Sequence, residues 1–146
     1  MLNVHKFTFN PFQENTYLIH DGREAIVVDP GCWNRTEQRE LEDFLESNGL
    51  KPTRLVLTHG HIDHILGCAW MHKRYGISPE LHEKDLPVLA AGERTASMYG
   101  IPYDPAPEPK GFIQEGSEIL IGSEVLKVLF VPGHAPGHIA LHSVAH

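Results

Sequence analysis

Apolar and polar positions alternate in short bursts over the first thirty residues and then give way to a helical stripe. Leu2–Phe9 is rich in β-branched and aromatic side chains and is broken by Asn10-Pro11. Asn15–His20 reads as a second strand. Asp21-Gly22 is a tight-turn signal, and Glu24–Asp29, with its run Ala25-Ile26-Val27-Val28, completes a hairpin that Asp29-Pro30-Gly31 stops. Asn34–Asn48 has helical periodicity: Asn34 caps it with Glu37 three residues on, Leu41, Phe44 and Leu45 form the stripe, and Asn48-Gly49 is the stop. Arg54–Thr58 reads as a short buried strand. His59-Gly60-His61-Ile62-Asp63-His64 follows at once, and there a second helix is expected to begin, ending at Tyr75 before Gly76. Pro79–His82 reads as a strand and Glu83–Ala91 as a helix, with Pro87 inside it.

Four prolines (Pro102, Pro105, Pro107 and Pro109) make the second half of Arg94–Lys110 a loop. Glu118–Ile121 and Glu124–Val131 pair about Gly122-Ser123, a second histidine loop spans residues 132–138, and His138–Ala145 is the last strand. There is no repeat, no low-complexity tract and no linker. The pattern predicts one α+β domain over residues 1–146, helices packed on sheets that contain antiparallel hairpins.

Composition narrows the functional classes. Twelve basic against nineteen acidic residues give a net charge of −7, the wrong sign for a nucleic-acid backbone or an anionic membrane. The longest apolar run near the end, Val125–Val131, is interrupted by Lys127 and far too short to span a bilayer. The first residues carry no apolar leader, and Cys32 and Cys68 are too few for a disulfide scaffold, so a reducing, cytoplasmic setting is expected. The unusual figure is eleven histidines.

Six of these 146 positions concentrate the chemistry. In His59-x-His61-x-Asp63-His64, three imidazoles and a carboxylate follow a buried strand. Side chains two apart on an extended segment point the same way, so His59 and His61 can reach one ion. Asp63 and His64, where the chain turns, point elsewhere and can hold a second. Nitrogen and carboxylate ligands suit zinc, and also iron or manganese. A third imidazole, His134, from a distant strand end would complete a three-histidine face with an open position. His138 is given a supporting role rather than ligation. No serine sits in a nucleophile elbow.

The segments Asn15-Thr16-Tyr17-Leu18-Ile19, Val27-Val28-Asp29-Pro30-Gly31, Thr58–Gly67 and Val131–His138 together resemble the metallo-β-lactamase superfamily, and within it the glyoxalase II (hydroxyacylglutathione hydrolase)-like hydrolases. The resemblance implies an αββα sandwich, with His59, His61 and His134 on one metal, Asp63 and His64 on a second, and Asp29 steadying the metal loop. It implies two zinc sites in a complete domain and a metal-activated hydroxide, oriented by Asp63, that attacks the carbonyl of a thioester or related acyl substrate. The family's bridging aspartate and last histidine have no counterpart: after His138 the chain has no Asp or Glu, and His142 and His146 stand outside any family motif. The sandwich is therefore expected to be incomplete in this chain: a fragment or cleaved product is favoured over a chain completed by another (a second copy or a complementing C-terminal chain) and over a divergent short form. The alternatives are a mononuclear iron persulfide dioxygenase and a metal-binding module without turnover. Met98, Tyr99, Ile101, Tyr103 and Phe112 are candidate lid residues, with Phe12 on the opposite wall.

Overall fold

The computed structural model describes residues 1–143. Among the described residues, nine strands and four α-helices form an α+β fold of two sheets with helices on one side. The first sheet runs in the order β1(Asn3–Phe9), β2(Glu14–His20), β3(Glu24–Val28), β4(Lys51–Val56), β5(Pro79–Leu81), β6(Gly111–Phe112). β1, β2 and β3 pair antiparallel, and β3 through β6 pair in parallel. The parallel connections are carried by α1(Arg35–Ser47) and α2(Cys68–Tyr75), and then by α3(Leu86–Ala90) and α4(Gly92–Tyr99). The second sheet, β7(Glu118–Ile121), β8(Glu124–Phe130) and β9(Ile139–Ser143), is an antiparallel meander.

Two cores follow from the period-two alternation of the strands. Phe7, Leu18, Val27, Leu55 and Leu57 face Leu41 and Leu45 of α1 and Met71 of α2. Each fully buried leucine contributes about 1.5–3 kcal/mol. Opposite faces of the same strands, through Ile19, Ile26, Val28 and Val56, meet Ile119, Ile121, Leu126, Val128 and Ile139 of the second sheet. The layers are therefore helix, sheet, sheet, three of the four layers of the expected αββα sandwich. Among the described residues no helix covers the outer face of the second sheet, where Leu120 and Leu129 stay exposed. None of these helices is long and apolar enough to cross a membrane.

α1 forms where expected, with Asn34 accepting the Glu37 N–H at 2.9 Å. Several expected boundaries move. No helix starts at the histidine motif. His61 is extended, Ile62–His64 is a single 3₁₀ turn, and α2 begins only at Cys68. The reason is a long-range contact: the Gly67 N–H donates to the Pro30 carbonyl at 2.7 Å instead of to its own helix. A Cβ on Gly67 would lie 2.5 Å from Cys32 Sγ, so only glycine allows that approach. The helix expected over Glu83–Ala91 splits into a 3₁₀ turn, Glu83–Asp85, and α3, because Pro87 lacks an N–H and is tolerated only in a first turn. α4 and the two-residue β6 were not anticipated. α4 carries a weak apolar stripe, and its end is set by Gly100 in the left-handed region at φ 66°. β9 starts at Ile139, and the expected end of that strand at Ala145, like His146, lies outside the described residues.

Candidate metal centre

The two histidine loops meet where the sheets join. β4 delivers Leu57, Thr58 and His59 to the seam, and β8 and β9 deliver the 132–138 loop. Backbone bonds lock the junction: Ile139 N–H donates to the Thr58 carbonyl at 2.9 Å, and Val131 N–H to the His138 carbonyl at 2.8 Å.

Three of the predicted ligands come together. Nitrogen atoms of His59, His61 and His134 lie within 4.8 Å of one another, and His61 Nδ1 is 3.2 Å from His134 Nε2 across 73 residues of chain. His59 is the hub. Its ring lies 4.8 Å from that of His61, 5.1 Å from His134 and 4.1 Å from His64, and it stacks on His138 at 4.4 Å. Burial, then the neighbouring imidazoles, push the His59 pKa down to about 3. His61 and His138 are lowered too, first by burial and then by His134. Buried, neutral imidazoles offer lone pairs, and His59 Nε2 is buried with no hydrogen-bond partner. An unpartnered buried nitrogen facing two more nitrogens is a donor set that a divalent ion fits.

A second group consists of Asp29, His59 and His64. His64 lies between two carboxylates, with Nδ1 3.0 Å from Asp29 Oδ2 and Nε2 3.3 Å from Asp63 Oδ2. Burial acts to lower its pKa, but the bonds to Asp29 and Asp63 outweigh that and raise it to about 10. Asp63 feels burial upward and His64 more strongly downward, and it stays below the usual carboxylate range. Asp63 is thus beside His64 but in neither three-residue group, whereas Asp29, assigned from sequence to a supporting role, is in the second. Asp29 also supports the loop: its carboxylate accepts from Thr58 N–H at 2.7 Å and Thr58 Oγ1 at 2.6 Å. Its own backbone is left-handed at φ 54°.

Four residues around the centre escaped the sequence reading. Asn10, read only as a strand breaker, donates through Nδ2 to the carbonyls of Gly31 (3.0 Å) and Asp63 (2.9 Å). Thr16 Oγ1 lies 2.8 Å from both Glu14 Oε2 and the Asp29 carbonyl, and accepts the Gly31 N–H. A hydroxyl has one proton, so both short contacts are satisfied only if Glu14 is protonated and donates to Thr16. Burial pushes the Glu14 pKa up to about 9, which makes that arrangement the stable one. The fourth, Asp85, is fully buried and bonds to the backbone of both histidine loops. Its sequence context, His82-Glu83-Lys84-Asp85, looks like an ordinary solvated charge run.

The expected lid is only partly at the surface. Met98, Tyr99 and Phe112 are exposed, and Tyr99 meets Phe12 edge-on with ring centres 5.3 Å apart. Ile101 and Tyr103 instead pack into the helix-side core.

The comparisons agree with this architecture. The family described as the metallo-beta-lactamase superfamily matches residues 9–146. The hydroxyacylglutathione hydrolase GloC of Haemophilus influenzae is 31% identical over 141 residues, covering 94% of this chain and 65% of that protein. The probable metallo-hydrolase YqgX of Bacillus subtilis is 29% identical over 133 residues, covering 90% of this chain and 61% of that protein. The crystal structure of TTHA1623 in a di-iron-bound form superposes with a TM-score of 0.80 at 32% identity, covering 94% of this chain and 66% of that one. The chain thus spans a little under two thirds of the length of these curated relatives.

Proposed function

The chain belongs to the metallo-beta-lactamase superfamily, whose members are generally hydrolytic metalloenzymes, and from that premise we propose that it hydrolyses a thioester or related acyl compound at a zinc centre. The observation that carries the reading is the convergence of His59, His61 and His134 from two distant loops, with the His59 Nε2 buried and unpartnered. The 31% identity to a hydroxyacylglutathione hydrolase supports the thioester class.

His59, His61 and His134 would hold one ion, and His64, with Asp63 and Asp29 beside it, a second, which must displace the proton those carboxylates hold on His64. A divalent ion bound there supplies Lewis acidity and a water acidic enough to react near neutral pH. The protein's own work is positional. Asp29 and Thr58 fix the strand end that carries His59. Asn10 holds the Asp63 carbonyl, so the ionised Asp63 carboxylate has a fixed place from which to orient a water by accepting its hydrogen bond. A thiolate leaves without a protein acid, which agrees with a site made of bases and carboxylates. The exposed Phe12–Tyr99 pair offers an apolar contact for the part of the substrate away from the carbonyl.

The test is titration of metal-stripped protein with zinc, iron or manganese while thiol release from a hydroxyacylglutathione is followed with a chromogenic disulfide. Metal-dependent thiol release that disappears in His61→Ala supports the reading. Metal binding without thiol release refutes the thioester assignment, and oxygen uptake with glutathione persulfide in its place redirects it to dioxygenation.

A further inference from the structure

We propose that Asp85 is a positioning residue for the metal centre: one buried carboxylate receives an N–H from each histidine loop and so sets how far His134 stands from the His59–His61 pair. The inference rests on the metal-centre reading above.

Asp85 is completely buried. Its Oδ2 accepts the N–H of Gly60, the residue between His59 and His61, and its Oδ1 accepts the N–H of Gly137 at 2.9 Å. These partners are 25 and 52 residues away and sit in loops that leave different sheets. Among the described residues no lysine or arginine pairs with this carboxylate. Its compensation is the two backbone donors, a strong form of hydrogen bond when the acceptor is charged. The requirement is chemically narrow: both oxygens must accept, which a carboxylate does and an amide cannot, since an amide turns one acceptor into a donor facing an N–H.

The loops are also shaped to reach it. A Cβ on Gly137 would lie 2.5 Å from the Asp85 nitrogen, and a Cβ on Gly60 would lie 2.7 Å from the Leu89 nitrogen. Both loops therefore rest directly on the backbone of the segment from Asp85 into α3. That segment is itself anchored. Asp85 N–H closes a turn onto the His82 carbonyl at 2.9 Å, and the His82 ring stacks on Phe130, at the end of β8, at 4.5 Å. A platform tied to β8 thus grips both loops, and the separation of the imidazoles is inherited from it.

The experiment compares zinc affinity, by competition with a chromophoric chelator, for the wild-type chain, Asp85→Asn, Gly137→Ala and the core truncation Leu45→Ala in α1, on the helix side of the first sheet. Backbone amide exchange of Gly60 and Gly137 is measured alongside in the metal-free proteins. Zinc affinity is expected to fall by about 10- to 100-fold in Asp85→Asn and Gly137→Ala, the range typical of groups that orient ligands, and to stay at the wild-type value in Leu45→Ala. In Asp85→Asn at least one of the two glycine amides exchanges tenfold faster or more. Wild-type zinc affinity in a folded Asp85→Asn or, should that variant not fold, in Gly137→Ala overturns the proposal. So does an equal loss in Leu45→Ala, which would make the effect one of general stability. Absence of zinc binding by the wild-type chain overturns the metal reading itself, a distinct result.

Discussion

Replacing Asp29 gives a direct measure of how the first histidine loop is held. Its carboxylate accepts from Thr58 N–H and Thr58 Oγ1 and contacts His64 Nδ1, all at 3.0 Å or less. Hydrogen bonds to a charged group contribute about 1.5–3 kcal/mol each. Those values are already net of desolvation, and breaking a buried charged set by removing one partner costs about 3–5 kcal/mol. Backbone geometry adds a second, separable effect. Asp29 sits at φ 54°, where alanine is strained by about 1–2 kcal/mol and glycine is not. Asp29→Asn, which keeps one acceptor and tolerates the left-handed backbone, is therefore the mildest change. Asp29→Gly is intermediate, and Asp29→Ala is the worst by about 1 kcal/mol more. At about 2–4 °C per kcal/mol for a chain of this size, Asp29→Ala should melt about 10 °C or more below wild type. Urea unfolding of metal-stripped protein, followed by the fluorescence of Trp33 and Trp70, reads the series without interference from lost metal. If all three variants stay within 1 kcal/mol of wild type, or if glycine and alanine are equivalent, the reasoning is refuted.

Other outcomes follow from the same geometry. His134→Ala should weaken zinc binding by more than about 100-fold, beyond what loss of an outer partner does, while the far-ultraviolet circular dichroism is retained. Equal affinity would show that the three nitrogens do not share an ion. Gly60→Ala pushes a methyl against the backbone of α3 and should cost about 1–3 kcal/mol, as other overpacking does, measurable by chemical denaturation. Glu42 resists ionisation through burial, but bonds to Arg74 and Arg35 more than offset this and hold its pKa below the ordinary glutamate value of 4.5. A lowered folded-state pKa contributes stability that is present above about pH 4.5 and is lost as the pH falls through the folded value. Glu42→Gln should therefore flatten the acid limb of the melting-temperature profile, an effect diminished by salt because both arginines are substantially exposed.

What was legible in the sequence is what is local. Strands β1 to β3 and helix α1 carry period and cap together, and the cluster from His59 to His64 announces itself by density of ligand types. What was not legible depends on the chain returning to itself. The start of α2 is decided by Pro30 and Cys32, more than thirty residues upstream of Gly67. The partition of Glu83–Ala90 into two turns follows from Pro87 and from the contacts of Asp85 with loops 25 and 52 residues away. Thr16 and Asn10 look like ordinary strand and turn residues, and only the packed structure shows them bonded to Asp29, Gly31 and Asp63. Asp29 was visible as a strand-ending turn, but its contact with His64 was not.

The His61–His134 contact spans 73 residues, and that distance along the chain has a kinetic consequence. Bringing two such points together costs an unfolded chain about 4 kcal/mol of closure entropy, and the two sheets must already be docked for the imidazoles to face each other. Capture of an ion at the proposed centre would thus be a late event, one that follows docking of the two sheets. Zinc added during refolding should leave the folding arm of a chevron unchanged and slow the unfolding arm, so that the ion acts as a latch on a finished molecule rather than as a nucleus for its assembly.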